Sequence, residues 1–157
     1  MSTLLRTASL TELAALLGGL AVGAPDPVLS ALGELGREFG RALQMLDDLG
    51  GLVAGDRRSK GYEDLRQSRP TWAWAWAAEK EAAPDYDELR AQARRVAAGS
   101  DPEPLRLRLA GEVEAMGRER ARAALRRAWA RLSDRFPPSR ARDQVAADLE
   151  QVERSYG

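Results

Sequence analysis

Apolar residues recur at helical spacing along almost the whole chain. Leu10, Leu13, Leu16, Leu17 and Leu20 predict a first helix over residues 3–22. Gly23-Ala24-Pro25 ends it. Asp26 followed by Pro27 then gives a capping acid and a proline at the first helical position, the start of a second helix over 27–53. Val28, Leu32, Leu35, Phe39, Leu43, Leu46 and Leu49 form its apolar side. Beside them runs a stripe of Gly33, Gly36 and Gly40, continued by Gln44, Asp47 and Gly51. Glycine inside a helix costs about 1 kcal/mol relative to alanine, so the stripe points to close approach by something, most simply another helix.

Residues 55–70 are polar, charged and weakly periodic, and read as a loop of functional length. Trp72, Trp74 and Trp76 alternate with alanines over 71–83. Period two suggests a strand, but alanine is a poor strand residue and no partner strand is visible, so a helix is expected. Trp72 and Trp76 then share a face. Pro84 precedes a short amphipathic helix over 85–98, and 99–104 is a second break. A long helix over 105–133 carries Leu109, Val113, Met116, Ala124, Leu125, Ala128 and Leu132 on its buried side. Pro137-Pro138-Ser139 separates it from a last helix over 140–154, with Val145, Leu149 and Val152. There is no internal repeat and no heptad array long enough for a rod. The expected fold class is an all-α helical bundle, a single domain over 1–157.

Composition narrows the chemistry. The 157 residues suit one domain, and 24 basic against 24 acidic residues leave no net charge. A neutral chain has no general affinity for phosphate backbones, so nucleic acid is not an expected partner. With neither His nor Cys, imidazole bases, thiol nucleophiles, disulfides and ordinary zinc sites are excluded. Catalysis, if any, must use carboxylates, Arg, Lys, hydroxyls or a hard metal ion. The longest apolar stretch, 13–24, is too short for a membrane span and is broken by Gly18, Gly19 and Gly23, so no transmembrane segment is expected. No signal-peptide layout precedes it, which makes a cytoplasmic location the expectation. Only Lys60 and Lys80 are lysines, a bias that a GC-rich coding background explains.

One stretch stands out chemically. On a helix Gln44, Asp47 and Asp48 share a polar sector. Adjacent carboxylates repel, and become favourable when a divalent cation lies between them and a ligand; Mg2+ favours carboxylates together with phosphate oxygens. Arg57, Arg58, Lys60 and Arg69 follow closely. Acids that hold a metal, followed by cations that neutralise the remaining charge, suit a metal-bridged polyphosphate. Two solvated acids and a charged loop are the plain alternative.

These residues resemble the trans-type polyprenyl diphosphate synthases, specifically their C-terminal half. Leu5-Arg6-Thr7-Ala8 is similar to the family's Lys-Thr-Ala helix, and 36–48 to the helix carrying Phe-Gln-x-x-Asp-Asp, the second aspartate-rich motif. Asp64-Leu65 with Arg69-x-Thr71 is similar to the Asp-Leu-x-x-x-Lys-x-Thr stretch that follows it. Residues 121–132 resemble the penultimate helix and 145–154 the closing one. The resemblance implies a helical bundle around a deep cavity, where two aspartate-rich motifs hold Mg2+ on an allylic diphosphate. Loss of diphosphate gives an allylic cation, which isopentenyl diphosphate attacks. It implies Asp47 and Asp48 as metal contacts, Gln44 beside them in the catalytic set, and Arg6, Thr7, Lys60 and Arg69 as diphosphate-binding residues.

The chain departs from the family pattern in three ways. Gly51 stands where the motif Asp-Asp-x-x-Asp has its last acid, Arg replaces Lys at 6 and 69, and the first aspartate-rich motif is absent. The resemblance therefore implies a separate protein partner bearing that motif, or a homo-oligomer, with isoprenyl diphosphates as ligands. The alternative readings are a non-catalytic modifier or interaction subunit that keeps the fold, a helical bundle unrelated to prenyl chemistry, and a fragment of a longer synthase.

Overall fold

A computed structural model describes residues 3–80 and 82–155, with the side chains of 3–6, 83 and 153 outside the description. Seven helices and no strand are present among the described residues: α1 Thr3–Ala21, α2 Asp26–Val53, α3 Arg58–Arg66, α4 Trp72–Lys80, α5 Ala83–Ala97, α6 Glu103–Ser133 and α7 Arg140–Ser155. The fold is all-α, as the periodicity predicts. The helices gather into two compact units. One takes the chain up to Gln44 and from Glu119 onward; the other is Met45–Arg118.

In the first unit the glycine stripe of α2 receives α1. A Cβ added at Gly36 would lie 2.8 Å from the Glu12 Cα, and one at Gly40 would lie 2.7 Å from the Ala8 Cα. No side chain fits there, so the stripe sets how closely the two helices approach. An Arg37–Glu12 ion pair fastens the same contact. The glycine stripe is therefore the buried side of α2, while Leu32, Leu35, Phe39 and Leu43 are only half-buried. The leucines of α1 behave further from expectation, since Leu10, Leu13, Leu17 and Leu20 are all exposed. The cause is that α1 docks through the small residues Thr7, Ala8 and Thr11, which leaves its leucine-rich face outward.

The second unit has a larger-residue core. Leu49 and Leu52 of α2, Leu65 of α3, Trp76 of α4, Leu89 of α5 and Leu105, Leu109 and Val113 of α6 are all buried. Trp76 and Leu49 lie over Gly117, where a Cβ would meet the Trp76 ring and fall 2.9 Å from the Leu49 Cδ1. The tryptophan segment is helical, because Ala73, Trp76 and Ala77 form one buried face at spacing three and four. Trp72 stacks on Trp76 with ring centroids 5.9 Å apart.

Helix α3 occupies part of the stretch expected to be a loop. Its sequence is polar, and only Gly61 and Leu65, one turn apart, are buried. Two anchors are too few to show as periodicity, and contacts made by those two residues hold the helix in place. It ends in a Schellman turn: the Ser68 N–H donates to the Leu65 carbonyl and the Arg69 N–H to the Asp64 carbonyl. Ser68 takes φ 51°, the left-handed conformation usually left to glycine.

Candidate functional site

Asp47 lies near the end of α2, and α3 together with the residue preceding it brings two cations to it. Lys60 Nζ donates to its Oδ2, and Arg57 Nη1 lies 3.6 Å from its Oδ1. Arg57 crosses Gly50 on the way, its Cδ only 3.3 Å from where a Cβ would stand. The Asp47 side chain is about a third exposed, at 34%. Solvent therefore reaches a carboxylate between a lysine and an arginine, an arrangement able to exchange cation contacts for a metal ion or hand those cations to an anion.

Asp48 faces elsewhere. It is buried, and its Oδ2 accepts the Trp72 N–H at 2.8 Å. That amide is the first of α4, so the acid caps this helix from outside and sits at the positive end of its dipole. The two neighbouring carboxylates consequently have different surroundings.

Arg69 donates to Asp64 Oδ1 at 2.9 Å and to Glu63 Oε1 at 3.1 Å, folding back over α3. Asp48 and Arg69 both line a cleft with Asp64, Thr71 and Trp74 whose volume is about 10 Å³. That is space for about one water and far too little for a diphosphate.

Gly51 stands one turn after Asp47, and α3 fills the space beyond it. A Cβ at 51 would lie 3.3 Å from the Gly61 Cα, and one added at Gly61 would meet the Gly51 carbonyl. The two glycines let the helix backbones touch, so a side chain at 51 would require α3 to give by a few tenths of an ångström. Among the described residues no three His, Cys, Asp or Glu side chains converge on a metal position. Mg2+ commonly takes only one or two protein carboxylates and completes its shell with phosphate oxygens and water. On that measure the residues present fit the ion through Asp47, with Asp48 already engaged by the Trp72 amide.

The remaining site residues from the sequence belong to the first unit. The Thr7 hydroxyl donates to Gln44 Oε1 at 3.2 Å, joining α1 to α2. The side chain of Arg6 lies outside the described residues.

The sequence reading did not include the network that holds the end of α2. Arg106, almost wholly buried, donates through Nη1 to the Leu52 carbonyl and through Nε and Nη2 to Glu103, at 2.6 and 2.8 Å. The Tyr62 hydroxyl of α3 donates to the same carboxylate at 2.7 Å. The Arg106 guanidinium, helped by that hydroxyl, holds the Glu103 carboxyl down to about 2. Glu103 and Arg106 are three apart on α6, a recognisable helix pair, but nothing in the sequence signals Tyr62 or Leu52.

Comparison with known proteins agrees with the motifs. The family model described as polyprenyl synthetase matches residues 2–101. Geranylfarnesyl diphosphate synthase of Aeropyrum pernix is 39% identical over 70 residues, which amount to 43% of this chain and 22% of that enzyme. No solved structure matches.

Proposed function

Since this chain belongs to the polyprenyl synthetase family, we propose that it is a component of a trans-prenyltransferase, supplying the second aspartate-rich diphosphate site. A partner chain supplies the first. Together they condense isopentenyl diphosphate with an allylic diphosphate. The observation that carries this reading is the meeting of Asp47 with Lys60 and Arg57. Asp47 would hold Mg2+, and the ion when bound supplies neutralisation of the departing diphosphate. Lys60 and Arg57 then turn from Asp47 to the diphosphate oxygens, while Asp48 keeps α4 and the preceding segment in place. Arg6, Thr7, Gln44 and Arg69 join the diphosphate site on the strength of the family motifs.

Titration with inorganic diphosphate, with and without Mg2+, tests the site. Binding strengthened by Mg2+ is expected, and Asp47→Ala removes the Mg2+-dependent part. Prenyl transfer is then assayed with a chain bearing the first motif. If Mg2+ leaves diphosphate binding unchanged and no such chain restores product, the catalytic reading fails.

A second reading is a non-catalytic subunit that keeps the fold. The Gly51–Gly61 contact favours it, since it crowds the place of the third acid. It predicts a stable assembly with no Mg2+-dependent diphosphate binding.

A further inference from the structure

Helix α3 carries a cation of the candidate site, yet little in its own sequence holds it. It is nine residues long, and Arg57 before it makes no capping hydrogen bond through its side chain. Helices this short are marginal in water, so its placement rests on tertiary contacts. Gly61 and Leu65 are its two buried residues. Gly61 lies backbone to backbone on Gly51, with no side chain to key one helix into the other. Such a contact sets how near α3 comes to α2, and leaves rotation of α3 about its own axis to other groups.

Two polar contacts flank that buried strip. Lys60 and Tyr62 are two residues apart, which puts them about 200° apart around a helix. On one side Lys60 reaches Asp47. On the other the Tyr62 hydroxyl donates to Glu103 Oε2 at 2.7 Å, across 41 residues of chain. The Tyr62 ring is braced as well, with the Arg66 guanidinium 5.7 Å from its centroid. A roll of α3 that moves Tyr62 moves Lys60 with it.

The Glu103 end of this tether is fixed. Arg106, only 6% exposed, holds both carboxylate oxygens, Nε to Oε2 at 2.6 Å and Nη2 to Oε1 at 2.8 Å. A bidentate arginine pair of this kind fixes direction as well as distance. Its remaining nitrogen, Nη1, donates to the Leu52 carbonyl in the last turn of α2. One buried guanidinium thus anchors α2 directly and α3 through Glu103 and Tyr62. Asp47 belongs to the first of these helices and Lys60 to the second.

We propose that Tyr62 is a positioning residue for the diphosphate site: its bond to Glu103 fixes the rotation of α3 and so aims Lys60 and Arg57 at Asp47. Its part in ligand binding rests on the diphosphate reading above; the aim of Lys60 does not. A hydroxyl that merely stabilised the fold would lower the melting temperature and leave the surroundings of Lys60 unchanged.

Lysine reactivity separates the two roles. Lys60 and Lys80 are the two lysines of the chain, and Lys80, paired with Glu112, is the internal reference. Acetylation of the folded chain with a water-soluble N-hydroxysuccinimide ester, followed by peptide mass spectrometry, gives the Lys60-to-Lys80 ratio. Nζ must leave its carboxylate before it reacts, so Asp47→Ala raises the ratio. Tyr62→Phe removes one oxygen and keeps the ring; it is expected to raise the ratio about threefold, with circular dichroism unchanged. Glu103→Ala breaks the same bond from the other end and raises it likewise. In a titration with inorganic diphosphate and Mg2+, Tyr62→Phe weakens the Mg2+-dependent affinity about tenfold. A ratio that rises in Asp47→Ala but keeps the parent value in Tyr62→Phe overturns the proposal. So does a ratio insensitive to Asp47→Ala, since Lys60 then has no partner to be aimed at. Unchanged affinity in Tyr62→Phe, where the parent binds, overturns it too. A parent that binds no diphosphate with Mg2+ defeats the catalytic reading alone, and the lysine ratio still decides whether Tyr62 sets α3.

Discussion

Asp48 accepts the backbone N–H of Trp72 at 2.8 Å, across 24 residues of chain. Its neighbour Asp47 instead faces Lys60 and Arg57. One member of an acid pair thus supports the fold, and the other presents charge to solvent.

Substitutions at the two positions should therefore separate. Asp48→Ala leaves the first amide of α4 without its acceptor, and urea denaturation should show a loss of about 1–2 kcal/mol. Asp47→Ala removes a partly exposed ion pair, and the same measurement should show about 1 kcal/mol or less. Equal losses at both positions would contradict this division.

Restoring the family's third acid should destabilise the protein. In Gly51→Asp the new side chain crowds the Gly61 backbone, so α2 and α3 must shift slightly apart. A loss of about 1–3 kcal/mol is expected by chemical denaturation, as for overpacked interiors. Gly61→Ala should cost at least as much, because the Gly51 carbonyl is in its way.

The Glu103 network makes a definite contribution to pH dependence. Its carboxyl lies lower in the folded protein, about 2 against an ordinary 4.5, so the folded state favours the ionised form. That stability is fully present above about 4.5 and is lost as pH falls toward about 2. Comparing denaturation of the protein and of Glu103→Gln from pH 7 down to 2 isolates the effect. The difference between them should shrink through this window, and a constant difference would exclude the network as its source.

Ser68→Gly should raise the melting temperature. The left-handed conformation costs a residue with a Cβ about 1–2 kcal/mol, and glycine avoids most of it. A gain of about 1 kcal/mol is expected. A lower melting temperature would mean that the serine hydroxyl, not the backbone, decides this position.

Much of the fold was readable because helices declare themselves locally. The Asp26-Pro27 start signal, the leucine spacing and the breaks at Pro84, 99–104 and Pro137–Pro138 place most helix ends within about two residues, although α2 begins at Asp26 itself rather than after it. Helix α3 was not readable, since two buried residues in a polar nonapeptide produce no periodic signal and the neighbours that hold it lie elsewhere in the chain. At the candidate site the residue types were legible at Gln44, Asp47, Asp48, Lys60 and Arg69, but their directions were not. Arg57 reaching Asp47 and Arg69 folding onto Asp64 are choices among rotamers made by surrounding packing.

By itself the sequence determined an all-helical chain of the polyprenyl synthetase family, with an acid pair ahead of a run of cations. These properties rest on spacing and residue type, which survive without knowledge of neighbours. Tertiary structure decided that Asp48 caps α4, that Gly51 is closed by Gly61, and that the leucine face of α1 turns outward. Each depends on which backbone lies within a few ångströms; for the last two, that is set by how far glycine-bearing helices can approach.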